Sequence, residues 1–184
     1  MKIVIIGGGI GGFSAYHALR KELSETHPAT TIKIYEAYPS ASLTKNIIGG
    51  GLGLAPNGLR ALASLSSEIV EDIQAHAFTG ETMTLRNSRG KLLGRLSAGR
   101  KERYGFTQAM LPRAMVHDAV LKGVPDEAVE WKKRAREVRE TEEGVEVEFD
   151  DGTVEKGDLV IGADGVKSKV REAIFERKYD AEYE

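Results

Sequence analysis

The sequence predicts an α/β fold with a parallel sheet, and three observations carry this prediction. An apolar run, Lys2–Ile6, leads directly into a glycine-rich turn at residues 7–12 and then into a helix-like segment. A second strand, residues 31–35, ends on an acid, Glu36. Further along, residues 158–162 form a continuous apolar strand of the kind that is buried on both faces of a parallel sheet. Strand, turn, helix and strand in this order are typical of a Rossmann-like unit.

The turn contains the pattern GxGxxG, formed by Gly7, Gly9 and Gly12, and residues 13–23 are predicted to be helical. The first glycine allows the tight turn, the second lets a pyrophosphate approach the backbone, and the third lets the helix pack on the sheet. The helix N-terminus presents unpaired N–H groups and a partial positive charge to phosphates. The whole unit therefore predicts a dinucleotide site, with a glycine-rich turn in another α/β protein as the alternative.

Glu36 is the candidate for recognition of the nucleotide's ribose. A carboxylate at the end of the second strand can accept hydrogen bonds from ribose hydroxyls. Because a negative charge there disfavours a 2′-phosphate, we expect FAD or NAD rather than NADP as the tightly held nucleotide.

Length and composition limit the remaining possibilities. The 184 residues suffice for one core, and the net charge of −2 offers no electrostatic argument for nucleic acid or an anionic membrane. Apolar stretches are much shorter than the ~20 residues that span a bilayer. The absence of cysteine excludes disulfides and thiolate metal sites. Since the first strand starts at the N-terminus without a signal peptide, we expect a cytoplasmic protein.

The middle of the chain predicts a helix over 57–65, opened by Pro56, then a hairpin from 82–85 and 92–96, and a helix over 111–121. Apolar or alternating runs predict further strands at 128–131, 136–139 and 145–149. A polar turn is predicted at 150–153 and a last helix at 169–175.

The glycine unit and three later segments, in this order, resemble the p-hydroxybenzoate-hydroxylase-like FAD-dependent monooxygenases, which include salicylate-hydroxylase-like enzymes. The later segments are GGGLGLAPNGLRAL (49–62), LPRAMVHDAVL (111–121) and GDLVIGADGVKSKVRE (157–172). The resemblance implies a Rossmann-like FAD-binding fold of the glutathione-reductase type with a β-meander and part of a substrate-domain sheet. Residues 1–184 would form the N-terminal portion of the FAD-binding domain, with 75–110 as a hairpin excursion belonging to the substrate domain.

The resemblance also implies roles for individual residues. Gly7, Gly9 and Gly12 would line the FAD pyrophosphate, and Glu36 would hold the adenosine ribose. Arg113 matches an arginine at the start of a helix, where a planar, always-charged guanidinium suits phosphate or ribose contacts. The alternative for Arg113 is an ordinary surface residue at a helix start.

Asp164 and Gly165 match the family's DG motif, which lies near the FAD pyrophosphate and has been linked to NAD(P)H use. Arg171 matches the arginine that closes this motif. As alternatives, Asp164 and Gly165 form only a turn, Ser168 is the N-cap of the last helix, and Arg171 makes a structural salt bridge.

The sequence departs from the family in two places. Lys45 and Asn46 stand where many members have an arginine in the loop after the second strand. Family members also continue well beyond the position of Arg171 into a GD motif, which has no counterpart here. We therefore expect a fragment of a longer protein, or else a short protein that retains only the nucleotide-binding half.

The resemblance implies an FAD-dependent enzyme that hydroxylates a small organic substrate with O₂, and NAD(P)H would serve as a transient reductant. Aromatic compounds are among the substrates that this resemblance suggests. The flavin carries that chemistry, so we name no catalytic residue and no metal site. Two alternatives stay open at this point. One is a non-catalytic or partner-completed nucleotide-binding module, and the other is a different FAD- or NAD-dependent oxidoreductase on the same scaffold.

Overall fold

The computed structural model describes residues 1–41 and 50–175. The chain divides into two compact units, one formed by segments 1–47 and 123–184 and the other by segment 48–122. Within the described ranges, no helix combines the length and the apolar character needed to cross a bilayer.

The described strands, in chain order, are β1 (Lys2–Ile6), β2 (Thr31–Glu36), β3 (Gly51–Leu54), β4 (Phe78–Gly80), β5 (Thr82–Arg86), β6 (Leu92–Ser97), β7 (Gln108–Pro112), β8 (Val129–Trp131), β9 (Ala135–Thr141), β10 (Gly144–Phe149), β11 (Val154–Gly157) and β12 (Leu159–Gly162). The helices are α1 (Ile10–Thr26), α2 (Pro56–Leu65), α3 (Ser67–His76), α4 (Lys101–Tyr104), α5 (Arg113–Leu121) and α6 (Lys169–Phe175), with a 3₁₀ turn at Asp126–Ala128.

The first unit is built on a four-stranded parallel sheet with the order β12-β1-β2-β8. The side chains of Ile3, Val4 and Ile5 alternate between the two faces of β1 and are all buried. An apolar strand without alternation must be covered on both faces, which is why this run forms a central strand. The predicted α/β class with a parallel sheet is confirmed.

Strand β12 differs from its prediction as a strand buried on both faces. It lies at the edge of the described sheet and pairs with β1, and the Leu159 side chain is 44% exposed. An apolar run of residues can form an edge strand or a central strand, so only the order of the strands in the sheet distinguishes the two positions.

A three-stranded antiparallel meander, β9-β10-β11, supplies the second layer of this unit. Its inward residues Val138, Val147 and Phe149 pack in one buried cluster with residues of the parallel sheet. The Tyr35 ring stacks on Phe149 with centroids 4.9 Å apart. This packing holds the end of β2, where Glu36 is the last residue, against the meander.

A polar network lies between the same two layers. The Tyr35 hydroxyl donates to Glu155 Oε2 at 2.5 Å, and Lys2 forms a salt bridge with the other carboxylate oxygen. Burial would by itself raise the pKa of Glu155, but the hydrogen bonds from Lys2 and Tyr35 outweigh it and hold the pKa below its ordinary value. Burial, reinforced by the bond to Glu155, raises the pKa of Tyr35.

This network predicts acid sensitivity of the first unit. Because the folded-state pKa of Glu155 is lowered, its stabilising contribution is complete above the ordinary value of 4.5 and is lost as the pH falls below it. Urea unfolding at a series of pH values should show a shallower acid loss for Glu155→Gln than for the wild type. An exposed turn variant, Glu142→Gln, should follow the wild-type curve. If the free energy of unfolding fell equally steeply with decreasing pH in all three proteins, the stabilising role of the Glu155 carboxylate would be contradicted.

The second unit contains the antiparallel sheet β3-β7-β4, helices α2, α3 and α5, and the separate hairpin β5-β6. Helix α2 starts at Pro56 as predicted. The helix predicted over 111–121 begins only at Arg113, because Leu111 pairs with Leu52 in the ladder between β7 and β3. A single buried leucine fits the apolar spacing of a helix as well as that of a strand, so the pairing with β3 decided that Leu111 is part of a strand. The assignment of 75–110 to a substrate domain stays a prediction.

Candidate functional site

The glycine-rich turn joins the end of β1 to α1 in a conformation that excludes larger residues. Gly7 has φ +105°, and its N–H donates to the Tyr35 carbonyl at 2.9 Å. A Cβ at this position would lie 2.4 Å from the Ala163 carbonyl oxygen. The turn therefore fits closely against the residue that follows β12, and only glycine satisfies both the dihedral and the contact.

Gly12 and Gly9 show opposite environments within the same turn. A Cβ on Gly12 would lie 1.9 Å from the Gly7 carbonyl oxygen, whereas a Cβ on Gly9 would meet nothing within 4 Å. Gly12 thus allows α1 to pack against the turn, and Gly9 leaves open space over the helix N-terminus.

That open N-terminus has the properties of a phosphate site. Gly9 is the N-cap of the 17-residue helix α1 without a side-chain cap, and the first turn contains no acid. The first N–H groups of a helix have no acceptor within it and carry partial positive charge. Space, donors and sign of charge therefore fit a diphosphate.

Glu36 lies beside this turn with its carboxylate oriented by the backbone. It is 6% exposed, Oε2 accepts from the Gly8 N–H at 2.5 Å, and Oε1 accepts from the Tyr38 N–H at 2.9 Å. A carboxylate offers about four acceptor positions, so each oxygen retains capacity for a further donor. A pair of adjacent ribose hydroxyls is a chemically matched ligand for this group.

Asp164 directly follows Ala163 and has a clear structural role. Its Oδ1 accepts from the Ser168 hydroxyl at 2.6 Å, and its Oδ2 accepts from the Lys169 N–H at 2.6 Å and the Val170 N–H at 3.3 Å. Ser168 Oγ accepts in turn from the Arg171 N–H at 2.9 Å, as the N-cap interpretation of Ser168 expects. Together the two side chains cap α6.

We expect Asp164→Ala to lower the free energy of unfolding by about 2 kcal/mol, because two backbone N–H groups at a helix start lose a charged acceptor. Asp150→Ala is a matched control, since the carboxylate of Asp150 is exposed and lies 3.9 Å from Arg134. The control should change stability by less than about 0.5 kcal/mol. Chemical denaturation measures both values, and equal small losses would contradict the capping role.

Gly165 and Arg171 complete the segment. Gly165 has φ +76°, and a Cβ there would meet nothing within 4 Å. The Arg171 guanidinium donates through Nη2 to the Val166 carbonyl at 2.5 Å and forms no ion pair among the described residues. The structural role of Arg171 is therefore a backbone contact and not the salt bridge considered from the sequence.

Arg113 lies in the second unit, at the first position of α5. Its N–H donates to the Gly50 carbonyl at 2.8 Å. The side chain is half-buried, and Nη1 is enclosed without a hydrogen-bond partner in the described part of the chain. An enclosed guanidinium nitrogen is unlike an ordinary surface arginine. Its contact with a nucleotide stays a prediction, and Lys45 and Asn46 lie outside the described residues.

The other predicted site residues meet at one place. Gly7, Gly9, Gly12, Glu36, Asp164 and Gly165 all belong to the first unit and surround the C-terminal ends of β1, β2 and β12. Ligands of open α/β sheets bind at the carboxyl ends of the strands. The contacts of Gly8, Tyr38 and Ala163 that shape this site had no signal in the sequence, because they involve backbone atoms.

Comparison with known protein families decides the class. The family described as "FAD binding domain" matches residues 1–182. The chain belongs to this FAD-binding family. Membership confirms FAD as the predicted cofactor, and it excludes the interpretation of the glycine turn as a feature of an unrelated α/β protein.

Named relatives agree with the predicted resemblance. The chain is 33% identical over 178 residues to 3-hydroxybenzoate 6-hydroxylase from Polaromonas naphthalenivorans, covering 94% of this chain and 42% of that protein. It is 28% identical over 186 residues to salicylate hydroxylase from Pseudomonas putida, covering 96% and 38%. The resemblance to salicylate-hydroxylase-like monooxygenases is confirmed.

Solved structures give the same result. HpxO from Klebsiella pneumoniae, complexed with FAD and uric acid, matches with a TM-score of 0.76 and 30% identity, covering 94% of this chain and 41% of that one. The chain therefore spans about two fifths of the length of the proteins it matches.

Proposed function

We propose that this chain is the N-terminal FAD-binding portion of a flavin-dependent monooxygenase. With NAD(P)H and O₂, the enzyme would hydroxylate a small organic compound in the cytoplasm. The observation that carries the proposal is the pairing of an open helix N-terminus at Gly9 with an oriented carboxylate at Glu36, in a chain of the FAD-binding family.

The proposed role of the chain is to bind and orient the nucleotide half of the cofactor. The N–H groups at the start of α1 donate to the diphosphate, and Glu36 accepts from the adenosine ribose. Gly7 and Gly12 keep the turn close enough to Ala163 for this geometry. Bound FAD supplies the redox and oxygen chemistry, and the protein supplies position and electrostatics.

The proposed cofactor site also includes Arg113, Asp164 and Gly165. The enclosed Nη1 of Arg113 supports a ligand contact, since buried polar atoms normally have partners. Asp164 uses both oxygens to cap α6, so its support for the cofactor is positional.

Aromatic compounds are the proposed substrate class. Two of the relatives are named for 3-hydroxybenzoate and salicylate, which are small aromatic compounds.

Flavin titration tests the binding role directly. The purified chain should quench and shift the absorbance bands of added FAD, and competing ADP should reverse this change because it shares the diphosphate and ribose contacts. NAD should bind much more weakly than FAD. Binding of NAD without binding of FAD would overturn the proposal.

A second candidate is a nucleotide-binding module without catalysis of its own, or one completed by a partner chain. The site residues described in the first unit all fit the nucleotide half of the cofactor, which is all that this alternative requires. It predicts that the FAD-loaded chain consumes NADH and NADPH at the background rate with aromatic substrates. Consumption coupled to hydroxylated product would eliminate it.

A further inference from the structure

The segment that carries Glu36 is held from the side of β8 by two consecutive lysines. The N–H of Lys133 donates to the Glu36 carbonyl at 2.8 Å, and the N–H of Lys132 donates to the Tyr38 carbonyl at 3.0 Å. Tyr38 in turn donates its own N–H to the Glu36 carboxylate at 2.9 Å. The two lysines thus fix both Glu36 and the residue that orients one oxygen of its carboxylate.

The backbone of Lys132 is strained at this connection. Among the residues that the structure describes, Lys132 is the one non-glycine residue with a positive φ, +63°. Side-chain-bearing residues rarely adopt this left-handed conformation, and it persists where surrounding contacts fix it. Strand β8 ends at the preceding residue, Trp131, which pairs in register with Glu36. The chain therefore turns directly beside the predicted ribose carboxylate.

The side chain of Lys133 anchors the same connection in the meander. Its ammonium donates to Asp151 Oδ2 and to the Thr153 hydroxyl, each at 2.7 Å. It also lies 5.4 Å from the centroid of the Phe149 ring. Asp151 Oδ1 accepts from both the N–H and the hydroxyl of Thr153, so the ion pair closes on a turn that is itself hydrogen-bonded. The Lys133 side chain is only 18% exposed, which is unlike a solvated surface lysine.

We propose that Lys133 is a positioning residue for the ribose-binding carboxylate of Glu36. The ion pair with Asp151 holds Lys133, and the N–H of Lys133 holds Glu36 in the orientation that accepts from the adenosine ribose. A carboxylate that is fixed before the nucleotide arrives loses less conformational freedom on binding, so more of its hydrogen-bond energy appears as affinity. This inference rests on the proposed FAD-binding function and adds a determinant of it outside the glycine-rich turn.

A simpler role for Lys133 is electrostatic attraction of the diphosphate, and the choice of ligand separates the two roles. Attraction acts on every nucleoside diphosphate alike, because it depends only on charge and distance. Positioning of Glu36 acts only on ligands that have ribose hydroxyls. 2′,3′-Dideoxy-ADP lacks both hydroxyls and keeps the diphosphate of ADP. The ratio of the two affinities therefore isolates the hydroxyl contact.

Isothermal titration of the full chain with ADP and with 2′,3′-dideoxy-ADP tests the proposal. The wild type should prefer ADP. In Lys133→Met and in Asp151→Asn this preference should fall by about fivefold, the size expected for the loss of one ion pair. The two substitutions change the net charge in opposite directions, so a decrease that both share cannot be an effect of charge. Lys133→Arg keeps the ion pair and should retain the wild-type preference.

Lys156→Met is the matched control, because Lys156 forms a comparable ion pair within the meander, with Glu146 at 2.8 Å. It should prefer ADP as strongly as the wild type. Circular dichroism shows whether each variant is folded. If Lys133→Met does not fold, Asp151→Asn decides the question, since it leaves the Lys133 side chain in place.

The possible failures are distinguishable. If the wild type prefers ADP and both ion-pair variants keep that preference, the positioning role of Lys133 is overturned while the FAD-binding function stands. If the wild type binds both ligands equally, the ribose contact of Glu36 is overturned, and the role of Lys133 is overturned with it. If the wild type binds neither ligand, the proposed function itself fails.

Discussion

Replacing Glu36 with alanine is expected to weaken FAD binding by about a hundredfold or more. The carboxylate is held by the Gly8 and Tyr38 N–H groups, so it meets the adenosine ribose without reorganising. A hydrogen bond to a charged group contributes about 1.5–3 kcal/mol, and two ribose hydroxyls would lose such a bond. Isothermal titration with FAD, repeated with ADP, measures the loss.

The same titrations need a control for charge. Glu130→Gln removes a carboxylate from the neighbouring strand β8, where Glu130 pairs in register with Tyr35. It should bind FAD like the wild type. FMN lacks the adenosine half, so its weak binding should not distinguish Glu36→Ala from the wild type. Unchanged FAD affinity in Glu36→Ala would remove Glu36 from the ribose site.

Gly12→Ala is expected to destabilise the first unit by about 4 kcal/mol or more and to abolish FAD binding. Its Cβ would lie 1.9 Å from the Gly7 carbonyl oxygen. The Gly7 oxygen belongs to the backbone and the new Cβ is attached directly to it. No flexible side chain can therefore move to relieve the clash, and helix α1 itself would have to shift. Chemical denaturation gives the stability change, and flavin fluorescence gives the binding.

The adjacent glycine provides a matched control. A Cβ on Gly11 would have its nearest neighbour, the Ala163 Cβ, at 4.0 Å, which is an ordinary contact. Gly11→Ala should leave stability unchanged or raise it by up to about 1 kcal/mol, because alanine favours the helix. If both variants lost stability equally, close packing of α1 on the turn would not be the reason for glycine at position 12.

Much of the fold could be predicted because local patterns and tertiary structure agree. The strand before the turn, the helix after it, the strand ending at Glu36 and the helix opened by Pro56 all occur where the sequence predicts them. Each combines a hydrophobic period with a boundary signal. Helix α3, with buried Ile69 and Ile73, was not predicted, since no glycine or proline separates it from α2.

The pairing of neighbouring strands decided two features that the local sequence pattern left open. Leu111 entered β7 because Leu52 lies beside it, and β12 is an edge strand although its apolar run would also suit the centre of a sheet. In each case the residue composition allows two states, and the neighbouring strand selects one.

Local sequence signals were enough to predict the nucleotide-binding class, through the spacing of three glycines and the acid that ends the second strand. Those signals are local, since a tight turn, a helix N-terminus and a strand end each require particular residues at fixed positions. The orientation of Glu36 and the capping of α6 by Asp164 became visible only in the tertiary structure. The physical reason is that hydrogen bonds and ion pairs depend on distances between residues far apart in the chain, and composition does not contain those distances.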